Sequence, residues 1–244
     1  MAQESQQFYE RWAAEQLRDP NRAAVLKWKA QTLLDLCRRV GLDLRGDVLE
    51  IGCAEGALLD GLLKAFPEAD YSGLDISENF IEVGKKLFPG IELRCQESDD
   101  FFREKPHVDF VVLSDLIEHV EDADAFLRGV VPHCDYVLVK IPLEVCAYDH
   151  SPLIRAFRKM AGRTRFPPAY GPGHPDGHLR GFTVRSARAL LERNRLTVLA
   201  EKVDTVHQFY DRARTLDLAA ALSKRLCVGL FGGTYFGVAR TPTR

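Results

Sequence analysis

The chain has no CxxC pair: its six cysteines, Cys37, Cys53, Cys95, Cys134, Cys146 and Cys227, are scattered along the sequence. That spacing excludes a zinc knuckle or a disulfide frame and predicts reduced, mostly buried thiols in a cytoplasmic protein. No stretch is apolar for long enough to span a bilayer. Met1 to Glu15 is polar and contains acids, without the apolar core of a secretion signal. Internal repeats and low-complexity tracts are absent. The formal net charge of -2 gives no overall drive toward nucleic acid or an anionic membrane. What is there is 244 residues, 46% of them hydrophobic, which suits one α/β domain over residues 1–244.

The opening segment reads as helical, with Phe8, Trp12 and Leu17 on one side. Asp19-Pro20 restarts a helix, Asp as N-cap and Pro at the first helical position. Val25, Leu26, Leu33, Leu34, Cys37 and Val40 then recur near helical spacing until Gly41 ends the run. Residues 1–41 are therefore expected to form a helical cap. Short apolar strands follow at Asp47 to Ile51, Tyr71 to Asp75, Ile91 to Cys95, Phe110 to Ser114 and Tyr136 to Ile141. Helices alternate with them at Ala57 to Ala65, Ser77 to Lys86 and Ala123 to Val131. This alternation predicts a parallel sheet covered on both faces, with ligands bound outside the carboxyl ends of its strands. After Pro142 the rhythm breaks: residues 143–181 carry a basic stretch and a Pro/Gly/aromatic loop, a pattern expected of a substrate lid. A helix from Val184 to Asn194 and strands at Leu196 to Val203 and Thr234 to Ala239 complete the reading. A second helical insertion is expected over 210–227.

The richest chemistry lies at Val48-Leu49-Glu50-Ile51-Gly52-Cys53-Ala54-Glu55-Gly56, followed by Asp75 at the end of the second strand. A dinucleotide fingerprint wants G-x-G-x-x-G, so that the backbone admits a pyrophosphate. Here Ala54 takes the middle glycine's place and an acid, Glu50, precedes the loop. S-adenosylmethionine (SAM) fits better. Its ribose offers two vicinal hydroxyls to Asp75, and its amine suits Glu50. Gly52 and Gly56 permit close backbone approach, and the helix start offers amides to its carboxylate.

The pattern resembles the class I SAM-dependent methyltransferase superfamily, in particular its small-molecule, ubiquinone-pathway-like "type 11" branch. The resemblance covers Asp47 to Ile141 and resumes at Gly177-His178-Leu179-Arg180-Gly181-Phe182-Thr183. It implies a Rossmann-like, seven-stranded, mostly parallel sheet with an antiparallel last strand, an N-terminal helical cap and an inserted lid. It implies SAM as methyl donor and S-adenosylhomocysteine as product. It places Glu50, Gly52, Cys53, Gly56, Asp75 and Ile76 around the donor. Glu97 or Ser98 would meet the adenine, Ser114 would line the methionine portion, and Tyr9 would cover the cofactor.

Ser114-Asp115-Leu116-Ile117-Glu118-His119 leaves the fourth strand where the methyl group should sit. In a helical turn Asp115, Glu118 and His119 would share one face. Either His119 or His178 could accept a proton from the acceptor. Alternatively Asp115, Glu118, His119 and His178 could bind Mg²⁺, as the resemblance to metal-dependent relatives implies, although Asp115 is shorter than their glutamate. The metal-free reading leads, and a purely structural role stays open. His107 and His133 are expected in surface turns; His150, His174 and His207 are undecided, with His174 the best placed.

Arg155, Arg158, Lys159, Arg163 and Arg165, with Arg180, Arg185 and Arg188 beyond, make either a solvated face or a site for an acidic small molecule, a phosphate-bearing carrier or nucleic acid. Phe157, Phe166 and Tyr170 suit an apolar acceptor pocket. The balanced charge argues against nucleic acid. The expectation is a methyltransferase acting on oxygen, before nitrogen or carbon, of a small biosynthetic metabolite. A metal-assisted RNA 2′-O-methyltransferase and a non-catalytic accessory with this fold are the alternatives. Oligomeric state is not readable.

Overall fold

Alternating apolar strands and helices require a sheet buried on both faces, and the computed structural model has that arrangement. It describes residues 21–145, 170, 174, 177–205, 228 and 232–242. The expected first helix with Tyr9, the Asp19-Pro20 start, most of the lid and the 210–227 insertion lie outside them. So do His150, His207, Cys146, Cys227 and the basic residues from Arg155 to Arg165.

Among the described residues the elements are α1 (Arg22–Arg39), β1 (Gly46–Ile51), α2 (Ala57–Leu63), β2 (Ala69–Asp75), α3 (Glu78–Leu87), β3 (Glu92–Cys95), α4 (Ser98–Glu104), β4 (Val108–Ser114), α5 (Ala123–Val130), β5 (Cys134–Leu143), α6 (Val184–Arg193), β6 (Thr197–Asp204) and β7 (Gly233–Arg240). The strands form one seven-stranded sheet in the order β3-β2-β1-β4-β5-β7-β6. Pairing is parallel from β3 through β5, and β7 runs antiparallel between β5 and β6. The expected mostly parallel sheet with an antiparallel last strand is what is found. The strand order reverses between β1 and β4, and this is where such sheets open a ligand crevice.

Period-2 alternation divides the strands between two cores. Leu49, Val111, Val139 and Tyr235 face a core closed by Phe101, Leu127, Leu190 and Leu191. Val48, Val112, Leu138 and Phe236 face the opposite core with Leu33, Leu36, Leu59 and Leu62. Trp28 of α1 meets Phe236 edge-on, 5.1 Å between centroids. Helix α1 ends at Val40, and Gly41 follows in the left-handed region. Ser77 caps α3 by accepting from Phe80 N, and Asp122 caps α5 by accepting from Asp124 N and Ala125 N. Helix α4 was not foreseen from sequence: at seven residues it has little periodicity to show, and it is held by burial of Phe101 and Phe102. Cys37, Cys53 and Cys134 are buried free thiols, whereas Cys95 is exposed.

Gly84 fixes how α3 sits on the sheet. A Cβ there would strike the backbone carbonyl of Glu55 and the Leu93 side chain. Alanine at a mid-helix glycine ordinarily gains up to about 1 kcal/mol of helix propensity. Here the clash is with backbone and outweighs that gain. Gly84→Ala is expected to lower stability by about 1–3 kcal/mol in chemical denaturation; a stabilised variant would show that α3 has room to shift.

Candidate active site at the strand carboxyl ends

The loop after β1 turns sharply, with Gly52, Ala54 and Gly56 all at positive φ (75°, 49° and 84°). Gly52 N and Cys53 N donate to the Leu74 carbonyl at 2.8 and 2.9 Å, so the loop folds over the end of β2. A side chain at Gly52 would press on Leu116, and one at Gly56 on Leu93. Glycine is thus needed for both conformation and space. Asp75 ties the two strand ends together: Oδ2 accepts from Ala54 N at 2.8 Å and Oδ1 from Ser77 N at 2.9 Å. The carboxylate is therefore fixed by backbone amides at the end of β2.

Glu50 is 2% exposed, and its Oε2 has no hydrogen-bond partner. Burial pushes its carboxyl well above the ordinary range; Lys29 works against that, while Glu55, Asp75 and Asp115 add to it. An acid so placed is satisfied by a proton or by a cationic ligand group. Cys53 is also buried, and burial pushes its thiol well up, which makes it an inert wall residue. Ile76 is 39% exposed at the mouth of the crevice. Ser114, at the end of β4, is buried. Glu97 is exposed and stands at the N-cap of α4 without a side-chain cap bond, and Ser98 is that helix's first residue.

Sequence reasoning missed the cations facing this crevice. Arg22, at the start of α1, makes a two-pronged pair with the buried Glu55, one contact being Nε to Oε1 at 2.9 Å. Lys29, on the same helix, and Lys140 of β5 both grip Asp115. Arg22 and Lys29 are seven residues apart, hence two turns apart on one face of α1; that spacing was the available signal.

Asp115 itself is a correction. Residues 115–120 form a non-helical turn, with Asp115 at φ 55°, so Asp115, Glu118 and His119 do not share a helix face. Burial would raise the Asp115 carboxyl, but Lys140 and Lys29 together hold it well below the ordinary range. Its oxygens are committed to two ammonium groups. The four-residue Mg²⁺ set with Asp115 is therefore not assembled.

Glu118, His119 and His178 do come together. Glu118 is fully buried and neither carboxylate oxygen has a hydrogen-bond partner. Burial, reinforced by Asp115, pushes its carboxyl up to about 8. His119 Nδ1 bonds the Gly177 carbonyl at 3.3 Å, and Nε2 lies 4.0 Å from Glu118 Oε1. Burial first, then His178, lowers the His119 imidazole to about 4. The rings of His119 and His178 meet edge-on at 4.8 Å. Leu179 N donates to the Glu118 carbonyl at 2.8 Å, strapping the 177–182 segment onto the β4 turn.

Two further residues partner His178. Glu144, just past β5, bonds its Nδ1 at 2.8 Å, and His174 stacks on its ring at 4.7 Å. Tyr170 stacks in turn on His174 at 5.8 Å, and it fits only because Gly181 has no side chain. By contrast Arg180 donates to the Val120 and Glu121 carbonyls, and Arg188 pairs with Glu201. Those two arginines are thus engaged by the protein. His107 lies 3.3 Å from Asp135, and His133 stacks on Phe102 at 4.4 Å; both belong to the surface, half-buried and partnered.

Residues 49–135 match the methyltransferase-domain family. With the glycine loop, Asp75 and the sheet order already in place, that match assigns residues 49–135 to a methyltransferase domain. A malonyl-[acyl-carrier protein] O-methyltransferase of Halalkalibacterium halodurans is 35% identical over 77 residues, 30% of this chain and 28% of that one. The chain thus matches under a third of the length of this curated relative. Magnesium protoporphyrin IX methyltransferase of Synechocystis PCC 6803, solved with S-adenosylhomocysteine, is 15% identical with a TM-score of 0.63 over 98% of each chain. The [4+2]-cyclase SpnF is 13% identical with a TM-score of 0.58, covering 88% of this chain and 82% of its own. Among methyltransferase folds, then, overall shape does not name the reaction; the site must. No described helix of this methyltransferase fold is long and apolar enough to cross a membrane.

Proposed function

We propose that this protein is an enzyme that transfers the methyl group of SAM to an oxygen, before nitrogen or carbon, of a small metabolite. The observation that carries the reading is the buried Glu50 carboxylate, with an unpartnered oxygen, beside an Asp75 already aligned by the loop amides. Glu50 would meet the donor's amine and Asp75 its ribose hydroxyls. Ser98, Ser114, Ile76 and Cys53 would line the rest. The cofactor supplies an electrophilic methyl group on a sulfonium, a good leaving group; the protein's task is alignment. Holding acceptor and methyl in line contributes up to roughly 7–11 kcal/mol.

On the acceptor side His119 is the proton acceptor, its ring oriented by the contact of Nδ1 with the Gly177 carbonyl. A positioned base adds about 10²–10⁴-fold. The oxygen acceptor draws support from the O-methyltransferase relative, whose 77 matched residues are its only bearing on this chain. Apolar contacts from Tyr170 suit a small acceptor.

Calorimetry with SAM and S-adenosylhomocysteine, then mass spectrometry of metabolites gaining one methyl, tests the reading. Failure of the folded protein to bind either nucleoside would end it. His119→Ala is expected to lower kcat roughly 100-fold or more while leaving SAM affinity unchanged. An unaltered kcat would remove His119 from the chemistry.

A further inference from the structure

Beyond the donor crevice, three side chains converge near the end of β5. Glu144, His174 and His178 each present one donor atom, and the three atoms lie within 4.8 Å of one another. Glu144 Oε2 and His178 Nδ1 are already 2.8 Å apart. Two ligands on one ion, each about 2.0–2.2 Å from it, stand roughly this far apart or slightly farther. We propose that Glu144, His174 and His178 bind a single divalent ion of the zinc class, outside the Glu118-His119 sequence pattern.

Two observations favour this triad over the neighbouring one of Glu118, His119 and His178. The first is access. The Glu144 side chain is 31% exposed, whereas those of Glu118 and His119 are 1% and 8% exposed. An ion that enters, exchanges and keeps an open coordination position needs the former surroundings. The second is Glu118, which shares the second triad with His178 and is fully buried with neither oxygen hydrogen-bonded. A cation seated on His178 would add positive charge beside this acid.

The donor set selects the ion. Two imidazoles and one carboxylate match the His₂Glu sets that hold zinc with a position left for water or substrate. Magnesium prefers oxygen ligands and would be a poor occupant. His174 and His178 are themselves buried, so the ion would have a low-dielectric wall on one side and solvent on the other. It would fasten His174 and His178 to the end of β5, beside His119.

The test needs neither donor nor acceptor, so its failure is separable from failure of the methyl-transfer reading. The full-length protein is stripped with chelator and titrated with Zn²⁺ by calorimetry and with Co²⁺ by visible absorption. Circular dichroism serves as the folding control. One equivalent is expected, with a ligand-field spectrum for Co²⁺ and no displacement by excess Mg²⁺. His174→Ala and Glu144→Ala should each weaken binding at least 10-fold, and His119→Ala should leave it unchanged. The proposal is overturned if the folded wild-type protein takes up no ion. It is equally overturned if His119→Ala abolishes binding while His174→Ala does not, which would move the ion to the buried triad.

Discussion

Asp75→Ala is expected to weaken SAM binding at least about 100-fold, a loss of roughly 3 kcal/mol. Two effects combine. The variant loses the acceptor for the ribose hydroxyls, and hydrogen bonds to a charged group contribute about 1.5–3 kcal/mol each. It also leaves the Ala54 and Ser77 amides, which Asp75 now receives at 2.8 and 2.9 Å, without their carboxylate. The glycine loop would then be free to relax away from β2. Asp75→Asn retains an acceptor oxygen and should fall between. Calorimetry on folded protein measures this directly, and an unchanged affinity for Asp75→Ala would mean the ribose sits elsewhere.

Asp115→Ala is expected to destabilise the protein by about 3–5 kcal/mol at neutral pH, the usual loss when one partner is removed from a buried ion pair. The side chains of Lys29, Lys140 and Asp115 are 14%, 8% and 26% exposed, and removing the acid leaves two ammonium groups facing each other. The pH dependence has a definite sign. The Asp115 carboxyl is held below its unfolded value by the lysines against its burial. Its contribution is therefore complete above the ordinary aspartate range near pH ~4 and is lost as pH falls toward the folded value. Urea unfolding at pH 7 and again near pH 3 should show the gap between Asp115→Asn and wild type narrowing in acid. A variant as stable as wild type at neutral pH would show the lysines to be solvated.

This second expectation also marks where sequence reasoning went astray. The spacing of Asp115, Glu118 and His119 puts the three on one face only if the turn is helical. Position 115 instead takes a left-handed turn, and its charge answers Lys29, 86 residues earlier, and Lys140, 25 residues later. Glu144 shows the same limit: nothing beside it in sequence marks it as a partner of His178, 34 residues away. Glu55 stands within the loop motif, yet its arginine partner lies on another helix, 33 residues away.

The sequence by itself determined the strands, most of the helices between them and the donor loop, because these depend on short-range rules. Apolar alternation buries a strand on both faces, glycine alone suits Gly52 and Gly56, and Ser77 and Asp122 cap the helices that follow them. Only the tertiary structure decided which charges meet. Ion pairs and imidazole clusters form between side chains on different elements, and burial then sets their protonation. That is why Asp115 became an ion-pair anchor, Glu118 a buried acid without a hydrogen-bond partner, and Glu144, His174 and His178 a cluster with metal-ligand spacing.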